Sequence, residues 1–135
     1  FFREHELTTM EILHNICKFY GELALCGTRG WFYELDNQGT HDEKVLLREI
    51  GRLESSLKAA GEHEKLVFLH YPPLYQGYRC PEILRLLKEY GVELCCYGHL
   101  HGASHRRAIE GMWDGTEFSL VSADYLKFVP KKICE

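Results

Sequence analysis

The chain has 135 residues, of which 45% are hydrophobic and 27% charged, a composition typical of one globular domain and not of a disordered or fibrous chain. Its 16 basic and 20 acidic side chains give a net charge of −4 without a basic cluster, which argues against nucleic acid as a partner. The apolar runs span only a few residues, so we expect no membrane-spanning helix, and without a visible secretory signal we expect a cytoplasmic protein.

Short apolar runs separated by breakers fill the first forty residues, a pattern that favours strands. One helix over 8–19 is the alternative, and the periodicity does not decide between the two. The runs that we predict as strands are 10–13, 16–20, 23–26 and 31–35.

The rest of the chain predicts alternating helices and strands. Apolar residues at near-helical spacing, followed by Gly61, indicate a helix over 41–60, and Pro81 suits the start of a second helix that ends near Gly91. We predict the second helix over 81–90, and strands over 65–69, 92–97, 106–109, 117–122 and 128–133.

The two most apolar strands, 65–69 and 92–97, enclose the second helix. A strand–helix–strand unit makes its strands parallel, with a right-handed crossover, so we expect these two strands to be neighbours in one sheet. Near-continuous apolar strands are typical of a sheet that is covered on both faces. The sequence therefore predicts the α/β class.

Six cysteines are present, but none forms a C-x-x-C pair and nothing indicates secretion. We expect reduced, mostly buried thiols that behave as small hydrophobic residues.

Three histidines follow the predicted parallel strands. His70 comes directly after strand 65–69, and His99 and His101 follow strand 92–97. Because the carboxyl ends of parallel strands meet at one edge of a sheet, we expect these imidazoles to converge. Imidazole nitrogen is the commonest metal ligand in proteins, so the pattern predicts a metal site.

Residues around these histidines suggest further roles. Gly98 and Gly102 would remove side-chain bulk on either side of the pair. His105 could line the site, and Arg29, in a glycine-rich turn, could contact a phosphate or stack on Trp31. For Tyr71 and Tyr97, which flank the histidines, packing is the favoured role.

Four segments together resemble the calcineurin-like metallophosphoesterase superfamily, in particular a bacterial branch of predicted phosphohydrolases. They are GTRGW at 27–31, LHYPPL at 69–74, YGHLHG at 97–102 and SADYL at 122–126. The resemblance implies a two-sheet sandwich flanked by helices that hydrolyses phosphate esters with two divalent ions. It implies that His70 and His99 hold one ion and His101 the other, with Mn, Fe, Zn or Ni suited to such ligands.

The family's amino-terminal motifs, D-x-H, G-D-x-x-D and G-N-H-[DE], do not occur in this sequence. The absence of these motifs and of an initiator Met predicts that the chain is the carboxyl-terminal portion of a longer protein. We expect it to contain no catalytic residue of its own.

Charge and ligand number give the same expectation. Two dications about 3.5–4 Å apart need a bridging anion and roughly ten ligand positions, which three neutral imidazoles cannot fill. We therefore expect weak metal binding and no useful phosphatase activity from this chain alone. We also expect its exposed sheet edges to associate with other copies of the chain. A non-catalytic ligand-binding or interaction domain and a mononuclear zinc hydrolase remain as alternatives.

Overall fold

The computed structural model describes residues 1–2, 4–9, 11–32 and 40–133. None of the helices in these ranges is both long and apolar enough to cross a bilayer. The strands are β1 (Cys17–Tyr20), β2 (Leu23–Thr28), β3 (Glu64–Leu69), β4 (Leu74–Tyr75), β5 (Tyr78–Arg79), β6 (Val92–Tyr97), β7 (Gly111–Trp113) and β8 (Thr116–Leu120). The α-helices are α1 (Thr40–Ala59) and α2 (Pro81–Glu89), and a 3-10 helix covers Gly102–Arg107.

Six of the strands form one sheet in the order β1-β2-β3-β6-β8-β7. The four central strands are parallel, and the outer strands β1 and β7 are antiparallel to their neighbours. Strands β4 and β5 form a separate hairpin. The predicted α/β class is confirmed, as are the parallel pairing of β3 with β6 and the helix between them.

The two α-helices cover one face of the sheet. Leu53 and Leu57 of α1 and Ile83 of α2 are at most 1% exposed, and they pack in one core with Val67 and Tyr97 from the sheet. Pro81 is the first residue of α2. A backbone N–H at this position would have no acceptor within the helix, so proline costs no hydrogen bond there. Apolar stripes on both helices therefore place the main core between them and this face.

Irregular chain crosses the opposite face. The Leu13 side chain lies against Gly27, and Lys131 Nζ donates a hydrogen bond of 2.6 Å to Ser119 Oγ. Leu25, Phe68 and Leu94 on this face are only partly buried. This face is therefore covered less completely than the face under the helices.

Several predicted elements are wrong. The predicted strand 106–109 overlaps the 3-10 helix, and 128–133 is irregular because Lys127 and Phe128 adopt positive φ values of 54° and 58°, which break an extended path. Residues 11–13 are irregular, and the alternative helix over 8–19 is also wrong because β1 occupies its end. Of the predicted strand 31–35, the first two residues are irregular and the rest lie outside the described residues.

The five cysteines in the described ranges are free thiols, as expected, and Cys134 lies outside those ranges. Burial, with smaller contributions from neighbouring groups, raises the pKa of Cys26 to about 12 and the pKa values of Cys80 and Cys96 to about 11. Few of these thiols are therefore thiolates at pH 8, and the thiolate is the reactive form.

We expect alkylation by iodoacetamide at pH 8 to modify Cys17 first among these five, because it is the one only partly buried. The others should react slowly until urea unfolds the chain, which peptide mass spectrometry can follow residue by residue. Native modification of Cys95 at the rate of Cys17 would contradict the described core.

Both edges of the sheet carry exposed apolar side chains. Tyr20 on β1 is 68% exposed and Met112 on β7 is 70% exposed. Since unpaired edge strands favour intermolecular pairing, we expect the mass measured by light scattering to rise with protein concentration. A double variant, Tyr20→Lys with Met112→Lys, should stay closer to a monomer, whereas Leu47→Lys on α1 should behave like the natural chain. A monomer at every concentration would contradict this expectation.

Candidate metal centre

Parallel strands bring His70 and His99 to the same rim of the sheet. The last residues of β3 and β6, Leu69 and Tyr97, are register partners, so the following turns emerge side by side. The Gly98 N–H joins these turns by donating to the carbonyl oxygens of Leu69 and His70, each at 3.2 Å. As a result, a hydrogen bond of 3.2 Å joins His70 Nε2 and His99 Nδ1, with one ring nitrogen donating and the other accepting.

His99 has an unusual backbone conformation. Its φ is +68°, and the Leu100 N–H donates to the Gly98 carbonyl at 2.8 Å, so a three-residue turn has His99 at its apex. Positive φ is strained for most residues other than glycine, and such strain clusters at functional sites. His99 therefore occupies a strained turn directly after β6.

The second histidine of the pair, His101, engages a carboxylate instead. His101 Nδ1 lies 2.8 Å from Asp124 Oδ1, and the Gly102 N–H donates to Asp124 Oδ2 at 2.9 Å. His105 Nε2 lies 3.1 Å from Asp124 Oδ2, but the two groups are not aligned for a hydrogen bond. A carboxylate on Nδ1 fixes the ring and leaves Nε2 as the nitrogen that could bind a metal.

Two groups at the rim have shifted pKa values. Burial first, and then the neighbouring His101 and Arg29, lower the pKa of His70, which favours its neutral imidazole. Hydrogen bonds from the Gly102 N–H and from His101 lower the pKa of Asp124, which keeps it a carboxylate.

Arg29 lies beside the histidines but already has partners. Its guanidinium stacks 4.6 Å from the centre of the Trp31 ring, and its Nη2 is 3.6 Å from Oε1 of the buried Glu49. Its carbonyl oxygen accepts hydrogen bonds from the backbone N–H groups of His70 and Tyr71, at 3.0 and 2.9 Å. Arg29 therefore positions the His70 turn, and its side chain is 47% exposed at the same rim.

Aromatic rings surround His99. The Tyr71 and Phe32 rings lie 4.6 and 5.3 Å from the His99 ring, centre to centre. Tyr97 is fully buried, and its hydroxyl donates to the Ile109 carbonyl at 2.7 Å, which is the packing role expected of it.

The ring nitrogens of His70 and His99 fit one part of a metal site. Two nitrogens about 2.1 Å from one transition-metal ion are roughly 3.0–3.4 Å apart, and the observed separation is 3.2 Å. Within the ranges described, however, no three His, Cys, Asp or Glu side chains are grouped closely enough to hold an ion. The described residues thus fit two positions of a coordination sphere and do not complete it.

Asp124 lies at the same rim as the histidines, because β8 is parallel to β6 and ends beside it. The two glycines that flank the histidine pair differ from expectation. A Cβ atom on Gly98 would meet only ordinary contacts, the nearest at 3.6 Å, so that glycine does not serve to relieve crowding. Gly102 has open space around it and is needed for its φ of +53° instead.

Comparison of the chain with protein-family models, with curated proteins and with solved structures finds no match.

Proposed function

We propose that this chain contributes one half of the metal site of a two-metal phosphoesterase and hydrolyses phosphate esters only together with ligands from outside the described residues. The observation that carries the proposal is the 3.2 Å approach of the His70 and His99 ring nitrogens at the carboxyl edge of parallel strands. The strained turn at His99 and the lowered pKa of His70 support the same conclusion.

Each residue at the rim has a proposed role. His70 and His99 hold one divalent ion, and His101 offers Nε2 to the second while Asp124 fixes its ring. Bound ions of this class lower the pKa of a water molecule and neutralise charge on phosphoryl oxygens. Arg29 contributes donors to the phosphate group from the exposed part of its guanidinium.

The remaining ligands are proposed to be carboxylates, because a pair of dications needs bridging negative charge and the three imidazoles supply none. The less covered face of the sheet supports a further element of the proposal. A second sheet packed on Leu25, Phe68 and Leu94 would bury these partly exposed side chains and give a two-sheet sandwich flanked by helices.

The test measures Mn²⁺-dependent hydrolysis of 4-nitrophenyl phosphate by this 135-residue chain and by the full product of the gene that encodes it. We expect negligible turnover from the 135 residues and metal-dependent turnover from a product that also carries the aspartate motifs. In that product, His99→Ala should abolish activity, while His41→Ala, at an exposed position in α1, should leave it unchanged.

Robust turnover by the 135 residues alone would contradict the ligand count. Metal analysis of protein purified without chelator separates the alternatives. One tightly held zinc ion per chain would favour the mononuclear hydrolase, and no bound metal with no effect of His99→Ala would favour a binding or interaction domain.

A further inference from the structure

A cavity of about 550 Å³ lies against the β4–β5 hairpin. This volume is typical of small-molecule sites. Its lining comprises Tyr75, Gln76, Gly77, Tyr78, Arg79 and Ile109.

Aromatic rings form one side of the cavity. Tyr75 and Tyr78 stack with their ring centres 5.1 Å apart and their planes 23° apart, and both side chains are only partly buried. The Phe32 ring meets them edge-on, with centres 6.2 and 6.0 Å away, and lies 5.3 Å from the His99 ring. The cavity is therefore one aromatic ring away from the candidate metal centre.

Arg79 gives the lining of the cavity a positive charge, in a chain whose net charge is −4. Its guanidinium lies 4.3 Å from the centre of the Trp113 ring. Arg107 is not in the lining; it lies 4.6 Å from the centre of the Tyr75 ring, and its Nη2 donates to the Gln76 carbonyl oxygen at 3.4 Å. Stacking engages the flat face of a guanidinium and leaves its N–H edge directed to the side, where it can meet an anion. Among the described residues that line the cavity, none is acidic.

We propose that this cavity binds an aromatic ring that carries a negatively charged substituent. The tyrosine rings pack against the aromatic ring, and Arg79 donates hydrogen bonds to the anionic group. This inference rests on the proposed function in one respect: the bound ring is the leaving group of a phosphate monoester whose phosphoryl group lies at the histidines. The substrate class is then the phosphate ester of a phenol that bears an acidic group.

The test measures binding by isothermal titration in the presence of a chelator, so that neither metal nor hydrolysis contributes. The three probes are 4-hydroxybenzoate, phenol, which lacks the charge, and 4-hydroxycyclohexanecarboxylate, which lacks the aromatic ring. We expect 4-hydroxybenzoate to bind about tenfold more tightly than either of the others.

Arg79→Ala should remove the preference for 4-hydroxybenzoate over phenol, while Arg106→Ala, an exposed arginine nearby that does not line the cavity, should retain it. Tyr78→Ala should reduce the preference for the aromatic probe, with circular dichroism used to confirm that the variant folds. Equal affinity for all three probes, no binding at millimolar concentration, or a preference unchanged by Arg79→Ala would overturn the inference. Because the measurement needs no metal, failure of the phosphoesterase proposal would not affect its result.

Discussion

Replacing His99 by alanine is expected to weaken the binding of Mn²⁺ or Zn²⁺ by about 100-fold. The substitution removes one of the two ring nitrogens that lie 3.2 Å apart. Competition with a fluorescent chelator measures the change in affinity. His70→Ala should have an effect of similar size, because it removes the other nitrogen of the pair.

The matched control is His41→Ala, which removes an exposed imidazole from the first turn of α1. It should leave metal affinity unchanged, because the residue of α1 that contacts the rim, Glu49, lies about two turns further along the helix than His41. If both substitutions lowered affinity equally, metal would be binding nonspecifically to surface histidines and the candidate centre would be wrong.

Gly27→Ala is expected to destabilise the fold by at least about 2 kcal/mol. A Cβ atom at this position in β2 would overlap the carbonyl oxygen of Phe68 on β3, and it would press on the Leu13 side chain at 3.1 Å. The backbone of a paired strand cannot move aside without breaking its hydrogen bonds, so the two strands would have to separate. Urea unfolding followed by circular dichroism measures the loss of unfolding free energy.

Gly51→Ala provides a control with the opposite sign. Gly51 lies in α1 with open space around its Cβ position, and alanine favours the helix by roughly 0.5–1 kcal/mol. We expect a small stabilisation from this substitution in the same assay. Destabilisation of similar size by both substitutions would show that Gly27 is not held against β3 as described.

Periodicity was sufficient to predict the part of the fold that positions the histidines. Apolar strands on either side of an amphipathic helix indicated a parallel pair, and the structure pairs Leu69 with Tyr97 at its end. From that register alone, His70 and His99 had to emerge at one rim. The site geometry is thus largely a consequence of strand direction, which a local sequence pattern can specify.

Elements fixed by turns and tertiary contacts were harder to predict. The hairpin of β7 and β8 has Asp114 and Gly115 at its turn, with φ values of 47° and 92°, and the pair is a known hairpin signal. Strand β7 has only three residues, too few for its alternation to be recognised. The 3-10 helix at Gly102–Arg107 begins beside the Asp124 carboxylate, a contact between residues far apart in the sequence.

Asp124 illustrates the same limit at the site. The run 117–122 was correctly interpreted as a strand, and its direction parallel to β6 would have placed the following turn at the rim with the histidines. The pattern of apolar residues predicts that a strand is present but not whether it runs parallel or antiparallel to β6. A hairpin between the two strands would have made them antiparallel. The pairing of His101 with Asp124 therefore depended on the tertiary structure.

The most direct test of the metal centre is paramagnetic broadening of the histidine ring signals by substoichiometric Mn²⁺, observed by NMR. The arrangement at the rim predicts that the rings of His70, His99 and His101 broaden first and together, while those of His41 and His63 stay sharp. Equal broadening of all five rings, or broadening that begins at His41 or His63, would contradict the assignment of this rim as a metal centre.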